Sequence, residues 1–214
     1  MRRRSESRWP PAFAIIAATI LYAMLPPHLS LGPRWLMPLL VALLLLPLLV
    51  VGPMFSGHEV SRVLRTLGIT LIALVNAANI ASLVLLVRAL LTGMPKEGGL
   101  ELLYSATAIW ATNILVFGLW FWELDRGGPQ RRLNASRRTA DFMFPQMLSP
   151  QCAPSGWLPS FMDYLYLGFT NATAFSPTDT MPLTAWAKAL MTIEAVISLL
   201  TIVLVAARAV NILS

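Results

Sequence analysis

Glu194 is a lone carboxylate inside the apolar run 184–210, which makes it the residue of this sequence best placed to do chemistry. A charge at the centre of a helix in hydrocarbon costs about 2.5–3.5 kcal/mol, so such a group faces a bundle interior and a partner. Glu194 is therefore a candidate proton or cation site, or a brace for the segment before it. As a neutral carboxyl bonded to a neighbouring helix it has no further role. A second candidate lies just upstream in Thr173, Ala174, Phe175, Ser176, Pro177, Thr178 and Asp179, where three hydroxyls can line an opening. The third is Ala73, Asn76, Ala77, Asn79 and Ala81. Alanines four apart let two helices approach closely, and the amides can bond across the contact, so this is a helix-packing face first and a partner face second.

Other chemistry is absent from the pattern. His58-Glu59-Val60-Ser61-Arg62 begins like a zinc-protease helix, but Arg62 stands where the second histidine must be. His28 and His58 are the only histidines and Cys152 the only cysteine, so neither a His-rich metal site nor an internal disulfide is available. The chain has no G-x-S-x-G, P-loop or G-x-G-x-x-G pattern. Asp125, Asp141, Asp163 and Asp179 fall in loops or at the ends of apolar runs, so paired intramembrane aspartates are missing as well. The expectation is no enzyme, no catalytic residue, no metal and no cofactor.

The elements that position these residues follow from composition. Of 214 residues 57% are hydrophobic and only 12% charged, about half the charged share of a soluble domain, and the mean hydropathy is +0.67. Crossing ~30 Å of hydrocarbon takes roughly 20 helical residues. Apolar runs at about 9–25, 35–51, 67–91, 102–122 and 184–210 predict five spans, with aromatic residues such as Trp9 and Trp120-Phe121-Trp122 at their ends. Residues 161–169 are apolar and aromatic but are soon interrupted by Asn171, Pro177 and Asp179. A segment that short is more often re-entrant than spanning. The fold class is thus all-α integral membrane, with about five transmembrane helices plus one re-entrant half-helix before the last; six full spans is the alternative. The organisation is a four-helix region (1–124), a polar Arg/Pro-rich loop (125–160) and a C-terminal module (161–214). The net charge of +6 is almost wholly arginine, clustered beside apolar runs rather than spread on a basic face, which argues against nucleic acid and for the lipid bilayer as partner.

The C-terminal module resembles the pore module of potassium channels: pore helix, filter loop and inner helix. The resemblance is carried by Asp163-Tyr164-Leu165-Tyr166-Leu167-Gly168-Phe169-Thr170 and by Ala187-Lys188-Ala189-Leu190-Met191-Thr192-Ile193-Glu194-Ala195-Val196-Ile197, and it covers about a quarter of the chain. It implies a channel-like pore passing a small ion through a homo-oligomer, a tetramer if the pore forms. The filter differs. Both glycines of the channel pattern are replaced, by Ser176 and Thr178, and Pro177 between them fixes φ and removes an amide. A potassium-type ladder of carbonyls is not expected, so any selectivity is of another kind. The alternative is a non-conducting structural or regulatory membrane protein with a channel-like fold. The overall layout also resembles a bacterial multi-pass membrane-protein family of unassigned activity, which implies a cell (inner) membrane location.

Two orientation arguments oppose each other. With five spans, one side collects Arg2, Arg3, Arg4, Arg8, Arg62, Arg65, Arg126, Arg131, Arg132, Arg137, Arg138 and Lys188. The other side has Arg34, Arg88, Lys96 and Arg208. The positive-inside rule then puts the N-terminus and the 125–160 loop in the cytoplasm. A potassium-channel filter loop faces outward, which requires the reverse.

Overall fold

The computed structural model describes residues 8–54, 58–92, 99–132, 139–173 and 179–213. Six helices make the bundle: α1 (Trp9–Ala23), α2 (Leu36–Met54), α3 (His58–Leu91), α4 (Gly99–Leu124), α7 (Phe161–Thr173) and α8 (Ala185–Leu213). Two single turns, α5 (Pro129–Arg132) and α6 (Pro145–Leu148), lie between α4 and α7. Two short strands, β1 (Phe142–Met143) and β2 (Met181–Pro182), pair antiparallel, with Phe142 opposite Pro182 and Met143 opposite Met181.

Local sequence explains the helix ends. Proline sits in the first turn of α1, where its missing N–H has no helical partner to lose. The Pro26-Pro27 pair ends that helix, because the residue before a proline is pushed out of the α region. Tyr22 then ties the turn back, its hydroxyl accepting the Leu31 N–H at 2.7 Å.

Among the described residues, three helical segments are long and apolar enough to cross a membrane: Arg62–Leu91, Leu100–Gly127 and Ala185–Ala206. Trp9–Ala23 and the Leu36–Val50 part of α2 are apolar but shorter. At ~1.5 Å per residue the 15 residues of α1 reach about 22 Å. The all-α class expected from sequence is therefore the class observed, with three of the five expected spans at full length.

Helix α4 is the axis of the bundle. It packs against α1, α3, α7 and α8, while α2 packs on α3 and α1. Its buried side chains run almost all the way round, including Ile109, Val116, Phe117, Leu119 and Phe121, as suits a helix surrounded by others. In contrast, α8 buries one stripe, Ala187, Glu194, Ile197, Ser198 and Thr201, and turns Ile193, Val196, Leu200 and Val203 outward.

One end of the bundle gathers the starts of α1, α3, α7 and α8 and the ends of α2 and α4. Arg8, Leu49, Arg65 and Glu123 line one cavity there. At the same end Trp122 stacks edge-on against Phe161 at 6.1 Å, and Trp186 Nε1 donates to Asp141 at 2.9 Å. Helices α7 and α8 are consecutive yet run in the same direction.

The stretch 125–160, expected as a polar loop, is in its described parts a folded cap over this end. After α4 the chain reverses at Arg126, Gly127 and Gly128, all at positive φ (53°, 80° and 104°). A Cβ on Gly128 would lie 3.0 Å from the Glu123 carbonyl oxygen, so glycine is required there. Arg126 is held in this unfavourable region by its own N–H, which donates to Asp141 Oδ2 at 2.7 Å.

Candidate functional site

One cluster of buried polar groups lies where α4, α7 and α8 meet. Gly118 of α4 and Gly168 of α7 mark the crossing. A Cβ on Gly118 would sit 3.1 Å from Leu165 Cα, and one on Gly168 would sit 3.1 Å from the Ile114 carbonyl oxygen. Without side chains at these two points the helix backbones come into contact, as small residues allow.

That close approach delivers Glu194. Its side chain is 0% exposed, and Oε2 accepts from Asn171 Nδ2 of α7 at 2.8 Å. The same Asn171 amide donates to the Met191 carbonyl at 2.8 Å. On the α4 side, Asn113 Nδ2 donates to Ser198 Oγ at 2.9 Å and to the Glu194 backbone carbonyl at 3.3 Å. Asn113, Ser198 and Thr201 are all fully buried. Two acceptors remain without a hydrogen-bond donor, Glu194 Oε1 and Asn113 Oδ1. The Oε1 atom lies 3.2 Å from the point where a Gly168 Cβ would stand, the same point that the Ile114 carbonyl approaches. A buried oxygen acceptor without a donor is satisfied by a proton or a cation, and leaving it bare is expensive in a low-dielectric interior.

Depth follows from helix geometry. Glu194 lies nine residues beyond Ala185, about 14 Å along the axis at ~1.5 Å per residue. Asn171, beside it, is near the end of α7, so this 13-residue helix stops at about the depth of the carboxylate. Residues 179 to 184 are back at the capped end, where the Leu183 N–H donates to the Asp141 carbonyl at 2.8 Å.

The cap fixes the entrance. Asp125 is fully buried and accepts from the Asp141 N–H at 3.0 Å and from the Tyr164 hydroxyl. Arg132 is 1% exposed. Its guanidinium lies over the Tyr164 ring at 4.8 Å and donates to the Trp122 carbonyl at 2.6 Å. Phe142 and Phe144 pack edge-on against Tyr164, and Phe142 also meets Trp186. The cap thus joins the end of α4 to the starts of α7 and α8.

The sequence-derived candidates divide. Glu194 is where an interior partner was expected, and that partner is Asn171. Of the filter-like loop, Thr173 ends α7 with its hydroxyl donating to the Thr170 carbonyl at 3.0 Å, and Asp179 is exposed. Ala174, Phe175, Ser176, Pro177 and Thr178 lie outside the described residues. On α3, Ala73 and Ala77 face outward and Ala81 is half-buried, while Asn79 is buried and Asn76 half-buried. The chain's own packing on α3 uses the neighbouring face, Leu71, Ile72, Val75 and Ala78. Ala73 and Ala77 are left exposed on the single chain.

Reading the sequence alone missed Asn113, Ser198 and the whole cap. A usable signal was present for the first two. Glu194, Ser198 and Thr201 are spaced four and three apart, one face of a helix, and Asn113 interrupts the fourth apolar run. No family model, curated protein or solved structure matches the chain. The functional argument therefore rests on the site.

Proposed function

We propose that the protein is a multi-pass membrane protein whose α7–α8 segment is a re-entrant hairpin holding a proton or small cation at Glu194. The observation that carries this reading is the geometry of the carboxylate. It is wholly enclosed by a half-length helix and two long ones, with one oxygen bonded to Asn171 and the other without a donor. Ionisable groups at such depth mark ion and proton pathways, and helices that stop part-way across commonly build those sites.

Arg8, Arg62, Arg65, Arg126, Arg131 and Arg132 belong to the end where α7 and α8 begin. The positive-inside rule makes that end cytoplasmic, in the cell (inner) membrane. The hairpin then has the helix directions of a potassium-channel pore module but opens to the opposite side of the membrane. This reading keeps the positive-inside orientation and gives up the outward-facing filter loop that the channel resemblance implies. Conduction needs several hairpins around one axis, a homo-oligomer and in the channel-like case a tetramer. The outward apolar residues of α8 supply a surface for that assembly.

A second reading, a non-conducting structural or regulatory protein, is favoured by the Asn171 amide, which closes its hydrogen bonds within one chain and makes Glu194 a brace. Proteoliposomes distinguish the two. The ion-handling reading expects proton or alkali-cation flux in the native protein. The flux is lost in Glu194→Gln, which keeps the shape but cannot ionise, and is reduced in Thr173→Ala and Ser176→Ala. No flux under any gradient, with a monomer in detergent, ends that reading and leaves the brace.

A further inference from the structure

A cavity of about 630 Å³ opens between α1, α2, α3 and α4 at the capped end, within the size range of small-molecule sites. Its inner wall is apolar: Ile15, Leu45, Leu48, Ile69, Ile72 and Leu119. Its polar lining is cationic. Arg8, Arg62, Arg65 and Arg131 line it, and Glu123 is the single carboxylate among its described lining residues. Glu123 offsets one of these charges through Arg65 Nε, 3.5 Å from Oε1, and leaves an excess of three.

Gly68 makes the room. It lies within α3 and lines this cavity, yet a Cβ built on it meets nothing within 4 Å. Glycine in a helix interior is destabilising relative to alanine or leucine by about 1 kcal/mol. The helix therefore carries an unfavourable residue at a point of the cavity lining where a Cβ would meet open space.

We propose that this cavity binds an anionic phospholipid, with its phosphate among the arginines and an acyl chain along the leucine and isoleucine wall. Arginine suits the assignment because its planar fork matches phosphate oxygens. Basic pockets between helices at the cytoplasmic face, beside an anionic leaflet, are placed to take such headgroups. The inference rests on the membrane reading and is independent of the ion site at Glu194.

The test measures thermal unfolding of the detergent-purified full chain with added phosphatidylglycerol, phosphatidylcholine, palmitate or inorganic phosphate. Phosphatidylglycerol is expected to raise Tm by roughly 5 °C near saturation, with phosphatidylcholine and phosphate giving little. Arg62→Gln with Arg131→Gln is expected to remove at least half of the shift. Gly68→Leu, whose Cβ meets nothing within 4 Å, puts a side chain into the cavity and is expected to stay folded and lose most of the shift. Equal shifts with phosphatidylglycerol and phosphatidylcholine overturn the proposal, as does a full shift in Gly68→Leu. Palmitate or inorganic phosphate matching phosphatidylglycerol also overturns it, because either shows that only part of the lipid is recognised. A chain that is monodisperse without detergent fails the membrane reading itself, a result separate from any of these.

Discussion

The two halves of the bundle are held together by different means. Where α4 meets α7 and α8, backbones touch at Gly118 and Gly168, and the polar groups Asn113, Asn171, Glu194 and Ser198 bond across the contact. Where α1 and α3 meet α4 and α2 packs on α1 and α3, leucine and isoleucine side chains leave a cavity. Hydrogen bonds are directional, so they fix the depth and rotation of α7. Apolar packing is not directional and tolerates space. The first half is built to hold one geometry, and the second has room to admit something.

Substitutions can break or sharpen this contrast. The largest effect is expected at the cap. Asp125→Ala removes the acceptor of both the Asp141 N–H and the Tyr164 hydroxyl in a fully buried place, and is expected to destabilise by about 3–5 kcal/mol. Thermal unfolding in detergent checks the size, and faster tryptic cleavage between α4 and α7 checks the place. A stability unchanged by Asp125→Ala would show that the cap does not hold the hairpin.

Next is a matched pair of glycine substitutions. Gly118→Leu drives a side chain against the Leu165 backbone, and overpacking of this kind destabilises by about 1–3 kcal/mol. Gly68→Leu meets open space and is expected to stabilise by about 1 kcal/mol through helix propensity alone. Opposite Tm shifts are the expected result, and shifts of the same sign would erase the contrast between the halves. Asn171→Leu leaves Glu194 Oε2 without its donor and is expected to destabilise by about 1–3 kcal/mol. Reversal of that loss by Glu194→Gln in the double variant would weaken the brace as an explanation. The smallest effect is expected at Ala77→Leu on the outer face of α3, within about 0.5 kcal/mol for the single chain. A change in oligomer size on gel filtration at that site would show that the alanine face does hold a partner helix.

Individual residues show how far the sequence could be read. Hydropathy located α2, α4 and α8 within a few residues, because a run of leucine, valine and isoleucine has no competing local signal, but it put the start of the third run at 67 where α3 begins at His58. The early interruption at Asn171 marked α7 as short, and the structure ends it at Thr173. Glu194 stood out because nothing charged surrounds it in sequence. The cap was not legible. Asp125, Arg132, Asp141 and Tyr164 are ordinary loop or end residues in sequence, and their burial depends on contacts between positions 10 to 45 residues apart. The alanine stripe was legible only as a face fit for packing. Small residues at four-residue spacing permit close packing, but which face of α3 is used depends on where α1, α2 and α4 lie.

What the sequence determined by itself was the helical class, the position of the long apolar segments and the isolation of one carboxylate. Each follows from the local chemistry of transferring side chains and backbone amides out of water. What only the tertiary structure decided was direction and pairing: that α7 and α8 run the same way, that Asn171 reaches Glu194, and that Gly68 faces a cavity while Gly118 faces a backbone. Glycine is the same residue at both positions, and a helix carries no record of its neighbours. Those outcomes were set when the helices packed.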